Sequence, residues 1–123
     1  MAKFNLGRLK NIGFYLQHKK NTSQDNVHYV ISDLDLLPSH NLIQSYIDYP
    51  QSPIHLANKG TRYTMNNENS SFFGGAISVN QRDFKQSNGY PNNFWGWGGE
   101  DEALRNRMKK QKLVIQKPEF PVI

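Results

Sequence analysis

The sequence has no cysteine and no long apolar run. Because none of its 123 residues is cysteine, disulfide bonds and thiolate metal sites are both excluded. No window approaches the roughly 18 consecutive apolar residues of a membrane span, and the N-terminus lacks the apolar run of a signal peptide. As written, the chain is therefore expected to be soluble or cytoplasmic, without a membrane span, although its sequence identifies no compartment.

Size and composition limit the chain to one small domain. A length of 123 residues allows one core, and a hydrophobic content of 37% with a mean hydropathy of −0.74 predicts that the core is thin. The net charge of +5 and the pI near 9.5 raise the question of an anionic partner. Much of the positive charge is spread around a predicted helix at 100–111, which favours a solvated face. No basic stripe with interleaved aromatic residues is present, so nucleic acid is not an expected partner.

The pattern of apolar residues predicts alternating helices and short strands. Helices are expected at 6–20, 41–47, 81–86 and 100–111, the third capped by Asn80, and strands at 27–31, 54–57, 72–79 and 113–116. The polar stretch 58–71 is expected to be a surface loop. This order predicts an α/β fold with a small sheet, in which ligands collect beyond the carboxyl ends of the strands.

Residues 94–102, with the sequence FWGWGGEDE, are the most informative stretch. Glycines allow the backbone to reorient, indole rings stack on sugar rings, and carboxylates can accept a hydroxyl proton. The combination suggests carbohydrate chemistry. The alternative is a glycine-rich turn with buried tryptophans, followed by acids that are favoured at a helix N-terminus by the dipole. Because the dipole keeps a carboxylate ionised, a catalytic acid here would need partial burial, which Trp97 could provide.

A second acidic motif, Asp33-Leu34-Asp35, follows the predicted strand at 27–31. In an extended segment alternate side chains point the same way, and paired carboxylates suit Mg²⁺ or Mn²⁺. The alternative is a chance Asp-x-Asp. The four histidines show no ligand spacing, although His40 could approach a metal ion at Asp35.

Four blocks in one order make a resemblance specific. They are FN at 4–5 with LxNIGF at 9–14, SDLDLLP at 32–38, FGG at 73–75 and NGYPNNFWGWGGED at 88–101. Over residues 4–118 the chain resembles the β-1,4-galactosyltransferases of glycosyltransferase family 7. The resemblance implies a partial GT-A type α/β fold with a small mixed sheet. It also implies an enzyme, an inverting transferase dependent on Mn²⁺ or Mg²⁺, that moves a hexose, galactose, from a UDP-sugar to a hydroxyl of a saccharide or glycoconjugate acceptor.

The same resemblance implies roles for individual residues. Asp101 would be the general base, Asp35 would bind the metal ion, and Trp97 would close over the donor. The residues implied in acceptor binding are Trp97, Gly99, Glu100, Asp101 and Glu102. Those implied in donor binding are Phe4, Asp33, Leu34, Asp35, Arg62, Phe72 and Trp97. Phe72 replaces the usual tyrosine, which favours galactose over N-acetylgalactosamine.

The chain also departs from the family pattern. A uridine-binding strand and loop precede the FN block in family members, a histidine and usually a methionine complete their metal site downstream, and Leu6 replaces an arginine. The expectation is one domain, 1–123, truncated at both ends, to which a second polypeptide could supply the missing segments. The alternative function is a catalytically degenerate module that binds a sugar or nucleotide through the retained acceptor site. Retention of both Asp35 and Asp101 favours the enzyme.

Overall fold

The structure, a computed structural model, describes residues 3–20, 26–34, 36–57 and 73–118. Three of the predicted site residues, Asp35, Arg62 and Phe72, lie outside these ranges, as does the predicted loop at 58–71. In the described ranges no helix has both the length and the apolar character needed to cross a membrane.

The described chain contains four helices and three strands. Their bounds are α1 Leu6–Lys20, β1 His28–Ser32, α2 Ile43–Ile47, β2 Ile54–His55, β3 Ala76–Asn80, α3 Gln81–Gln86 and α4 Glu100–Lys110, and the 3₁₀ turn His40–Leu42 leads into α2. The strands form an antiparallel sheet in the order β1-β3-β2. The predicted α/β class with a small sheet is therefore confirmed.

Two predicted strands are shorter than expected. The second strand ends at His55, and the third begins only at Ala76 because Gly75, with φ of 82°, interrupts the extended backbone. The last predicted strand is reduced, in the described residues, to one parallel bridge between Ile54 and Gln116. The named strands of the sheet are all paired antiparallel, and this one parallel bridge lies outside them.

β3 is the centre of the molecule because both of its faces are buried. One face contributes to an aromatic and aliphatic cluster, whose buried members are Phe73, Ile77, Val79, Phe84, Tyr90, Leu104 and Met108. The other face packs Ala76 against a smaller cluster with Leu42, Leu56 and Ala57. One strand therefore divides the core into two clusters.

The helix α1 is confirmed, but its packing face differs from its apolar stripe. Leu9, Ile12 and Leu16 are 51%, 46% and 54% exposed. The face that packs inward carries Gly7, where a β-carbon would lie 2.9 Å from the Pro91 carbonyl oxygen, and Phe14, whose ring lies 4.4 Å from that of Phe84. Close backbone approach and aromatic contacts thus orient α1, since they need a small residue and a ring at particular positions.

Asn80 is the predicted cap of α3 and also holds a buried carboxylate. Its Oδ1 accepts the Asp83 N–H at 2.7 Å, and its Nδ2 donates to Asp83 Oδ2 at 2.9 Å and to the Pro50 carbonyl at 2.9 Å. Asp83 is almost completely buried, so its charge depends on these bonds and on Arg82, whose Nε lies 3.4 Å from Asp83 Oδ1. The cap therefore joins α3, β3 and the segment before β2.

We expect Asn80→Ala to lower the free energy of unfolding by about 1–3 kcal/mol, because it leaves buried Asp83 without its amide donor. Urea denaturation monitored by circular dichroism measures the loss. Asn106→Ala, an exposed asparagine on α4, is the matched control and should change stability much less. Equal losses in the two variants would contradict the role given to Asn80.

Candidate active site

One cavity of about 490 Å³ brings together the two acidic motifs of the sequence. Its lining comes from three parts of the chain, namely Phe4 and Leu6, then Asp33 with Phe73 and Gly75, and then Gly96, Trp97, Gly98, Gly99, Glu100, Asp101 and Glu102. Seven of the predicted site residues thus line this cavity. Leu34 is not part of the lining and is fully exposed.

Asp33 enters the cavity from the carboxyl end of β1. Its N–H donates to the Gly75 carbonyl at 2.7 Å, which fixes its backbone to the residue that precedes β3. After Asp33 the chain turns, and the Leu36 N–H approaches the Asp33 carbonyl at 3.4 Å. The predicted position of the Asp-x-Asp motif after a strand is confirmed for Asp33, whereas Asp35, the other carboxylate of the predicted extended pair, lies outside the described residues.

Residues 94–99, the tryptophan segment, carry exposed side chains. Gly96, Gly98 and Gly99 have φ of 90°, 95° and 92°, a region that favours glycine, and Trp97 between them is 100% exposed. Trp95 is also more than half exposed. The alternative of a turn with buried tryptophans is therefore wrong, and the Trp97 indole is free to meet a ligand.

Gly99 fixes where α4 begins. A β-carbon at this position would lie 2.8 Å from the Phe94 ring, so glycine is required both by φ and by space. The three acids that follow occupy the first turn of α4 but differ in environment, because Glu100 is buried, Asp101 is partly buried and Glu102 is exposed. The helix dipole favours acids at all three positions, and the three differ in how far they are buried.

Asp101 has the environment of a base rather than of a surface acid. Burial, assisted by the negative charges of Glu100 and Asp33, raises the pKa of its carboxyl, while Lys10 lowers it. Its Oδ1 is buried and has no hydrogen-bond partner among the described residues. Lys10 of α1 lies beside the Asp101 carboxyl. Trp97 is fully exposed and does not cover Asp101, so the prediction that Trp97 supplies the burial is wrong.

His55 supports the floor of the cavity, a role that the sequence did not reveal. Its Nε2 lies 2.9 Å from the Gly74 carbonyl oxygen, and because a carbonyl only accepts, Nε2 must carry the proton. Its ring lies 5.3 Å from the Phe73 ring, and burial lowers the pKa of the imidazole. A neutral His55 therefore fixes Phe73 and Gly74 beside Gly75.

The described residues hold no cluster of three or more histidine, cysteine, aspartate or glutamate side chains suited to a metal ion. His40 lies on the 3₁₀ turn and does not line the cavity. The carboxylate of Asp33, which does line it, is a hard oxygen donor of the kind that Mn²⁺ and Mg²⁺ accept. The donor chemistry therefore fits such an ion, with further oxygens needed from elsewhere.

Sequence and structure comparisons agree on what the chain resembles. The family described as "N-terminal domain of galactosyltransferase" matches residues 54–122. Human β-1,4-galactosyltransferase 4 is 35% identical over 118 residues, which is 94% of this chain and 32% of the relative. Pig β-1,4-galactosyltransferase 5 is 35% identical over 116 residues, 94% of this chain and 29% of the relative.

Two solved structures share the fold. The catalytic domain of Drosophila β-1,4-galactosyltransferase 7 with xylobiose has a TM-score of 0.79 at 32% identity, over 97% of this chain and 47% of that one. A mutant of that enzyme with manganese, UDP-Gal and xylobiose has a TM-score of 0.75 at 30% identity, over 96% and 47%. The chain spans about a third of the curated relatives' length and about half of the solved chains.

The raised pKa of Asp101 predicts how stability depends on pH. Ionisation of this carboxyl opposes folding, so its favourable contribution is present below the unfolded pKa, about 4, and is lost as pH rises through the folded pKa. We expect Asp101→Asn, which cannot ionise, to be more stable than wild type at pH 7, with the difference shrinking toward pH 4. Urea midpoints across this range measure it.

The exposed neighbour provides the control for that experiment. Glu102→Gln removes one negative charge from the same helical turn and should leave the pH dependence of the midpoint close to that of wild type. A stability difference between wild type and Asp101→Asn that does not change with pH would contradict the assigned environment of Asp101.

Proposed function

The chain belongs to the β-1,4-galactosyltransferase family, and from this premise we propose that it carries out metal-dependent, inverting transfer of galactose from a UDP-sugar to a sugar hydroxyl. The observation that carries the proposal is the single cavity that unites Asp33, Trp97 and Asp101. The reaction requires the general base and the carboxylate on the donor side to line the same cavity. The human and pig relatives are named as β-1,4-galactosyltransferases, and carboxylates from two distant segments of this chain line the cavity.

Asp101 is the general base in this proposal. The acceptor hydroxyl attacks the anomeric carbon from the face opposite the diphosphate, the bond from that carbon to the diphosphate oxygen breaks, and the hydroxyl proton passes to the Asp101 carboxylate. Burial raises the pKa of Asp101, which makes its carboxylate a stronger base than an exposed aspartate. Its side chain is 26% exposed while Oδ1 is buried, so the outer part of the carboxyl is the part that can meet the acceptor.

The first turn of α4 and the tryptophan segment form the acceptor site. Glu100 and Glu102 flank the base on the same turn, Gly99 sets the start of the helix, and Trp97 offers a fully exposed indole on which a sugar ring can stack. Closure of Trp97 over the donor would also exclude water and so limit hydrolysis. The Drosophila relative was solved with xylobiose, and a saccharide acceptor is proposed here too.

The donor side is proposed to lie around Asp33. Asp35 would hold Mn²⁺, or Mg²⁺, and a bound ion would neutralise the charge that develops on the leaving diphosphate. Asp33, Phe4 and Trp97 line the cavity and would contact the donor. Leu34, Arg62 and Phe72 complete the proposed donor set. A structure neighbour holds manganese and UDP-Gal, and further metal ligands would come from diphosphate oxygens, water or a second polypeptide.

A binding module without catalysis is the second candidate. One observation favours it, because the fully exposed Trp97 is a stacking platform that needs no base. The partly buried Asp101 with its raised pKa favours the enzyme, since binding alone does not require a carboxyl of that kind.

We expect Asp101→Asn to lower transfer by roughly 10²–10⁴-fold, because the amide keeps the shape of the carboxyl but cannot take the acceptor proton. Donor binding should hardly change. Release of UDP from UDP-galactose, with N-acetylglucosamine or xylosides as acceptors, measures the effect. The matched control Glu102→Gln should raise KM for the acceptor more than it lowers kcat.

The outcomes of that assay separate the two candidates. If wild type turns over and Asp101→Asn matches it, the base assignment is wrong. If neither the chain nor the chain with a polypeptide encoded beside it shows turnover while sugars still bind, the binding module is supported.

Trp97 fluorescence tests the donor site. In a Trp95→Phe background, which leaves Trp97 as the one indole of the chain, UDP-galactose with Mn²⁺ should change the emission of this exposed ring, whereas Mn²⁺ alone should not. Asp35→Ala should abolish the response to the pair. A full response in Asp35→Ala would exclude Asp35 from the metal site.

A further inference from the structure

Lys10 of α1 approaches Asp101 from the interior side. Its Nζ lies 3.7 Å from Asp101 Oδ1, and only 13% of the lysine side chain is exposed. The same Nζ lies 5.0 Å from the centroid of the Tyr90 ring, a distance typical of a cation–π contact. The lysine is therefore held between a buried ring and the proposed base, in contrast to the solvated lysines at the end of α1.

The neighbouring residue fixes the position of Lys10. Asn11 donates to the Tyr90 carbonyl at 2.7 Å and accepts the Tyr90 N–H at 2.9 Å, so α1 and the backbone of Tyr90 are joined directly. Because Tyr90 is buried, its ring is a fixed surface for the lysine. The backbone of α1 at Lys10 is therefore held beside Tyr90, from where the lysine side chain reaches Asp101.

The contact acts through charge. A separation of 3.7 Å is longer than a hydrogen bond between these atoms, and Asp101 Oδ1 has no hydrogen-bond partner in the described ranges. In a site shielded from water, attraction between opposite charges at this distance is stronger than at an exposed surface. Lys10 therefore orients the buried oxygen toward α1.

The other groups that face Asp101 oppose its charge. Glu100 on the same turn and Asp33 across the cavity are negative, and both raise the pKa of Asp101 together with burial. The Tyr90 hydroxyl, whose own pKa is raised well above its usual value by burial and by these acids, stays neutral. Among the described groups that act on Asp101, Lys10 is the one that favours its ionised form.

We infer that Lys10 is a positioning residue for the proposed base: it holds the inner oxygen of Asp101 against α1 and keeps the carboxyl ionised while its outer side faces the acceptor. This inference rests on the proposed function, since it assigns Asp101 as the base. None of the roles implied by the family resemblance involves Lys10, and no motif of the sequence pairs positions 10 and 101.

Three variants test the inference. Lys10→Met keeps an unbranched stem against Tyr90 and removes the charge, Lys10→Arg keeps the charge, and Lys19→Met removes an exposed lysine of the same helix. In the pH profile of kcat, the acidic limb should move to higher pH in Lys10→Met, return toward wild type in Lys10→Arg, and stay unchanged in Lys19→Met. KM for the donor should not change in any of them.

The titration of Asp101 is measured independently of turnover. The carboxyl ¹³C resonance of Asp101, assigned by its loss in Asp101→Asn, should titrate at higher pH in Lys10→Met than in wild type or Lys10→Arg. An unchanged midpoint in folded Lys10→Met would overturn the inference. If Lys10→Met does not fold, a folded Lys10→Arg variant in which Asp101 titrates at clearly higher pH than in wild type, although the charge is kept, would overturn it.

The two readouts distinguish this inference from the proposed function. A shifted ¹³C midpoint with a shifted kcat profile supports both. A shifted midpoint with an unshifted profile shows that Asp101 is not the base, which removes the catalytic role of Lys10 along with the proposed mechanism. A shifted midpoint in a chain without turnover supports the contact of Lys10 with Asp101 and contradicts transfer by this chain alone.

Discussion

The paired hydrogen bonds between the Asn11 side chain and the backbone of Tyr90 are the constraint on which the site depends. They join α1 to the loop that precedes the tryptophan segment, at 2.7 Å and 2.9 Å. Asn5 adds a second tie, because it caps α1 through the Arg8 N–H and donates to the Asn92 carbonyl. Both ties require close approach of the helix, which Gly7 allows. These ties hold α1, whose first residue Leu6 lines the cavity, against the loop that leads into the tryptophan segment.

The floor of the cavity depends on the backbone that leads into β3. The Gly75 carbonyl accepts from Asp33, and the Gly74 carbonyl accepts from His55, so two successive carbonyls hold two different segments. Since His55 is kept neutral by burial, this support adds no charge to an acidic site. Asp101 feels the negative charges of Glu100 and Asp33 and the positive charge of Lys10. Burial and the two negative charges raise its pKa, which costs folding energy and suits a base.

Local patterns predicted what depends on neighbours in sequence. The extent of α1, the cap of α3 at Asn80 and the start of α4 after Gly99 were all predicted, because helix periodicity and capping operate within a few residues. The predictions that failed concern contacts between distant segments. Leu9, Ile12 and Leu16 of α1 face outward, because Gly7 and Phe14 are the residues that pack against the loop and the core. Lys10, and not Trp97, is the residue that lies beside Asp101.

The sequence by itself determined the family, through four blocks in a fixed order, and with it the acids and the tryptophan that carry the proposed chemistry. It also determined the helix that presents Glu100, Asp101 and Glu102. Only the tertiary structure decided which of these acids is partly buried, that Trp97 is fully exposed, and that Lys10 and His55 belong to the site. The reason is physical: burial and pairing of charges depend on contacts between segments that are far apart in the chain, and local sequence patterns do not predict those contacts.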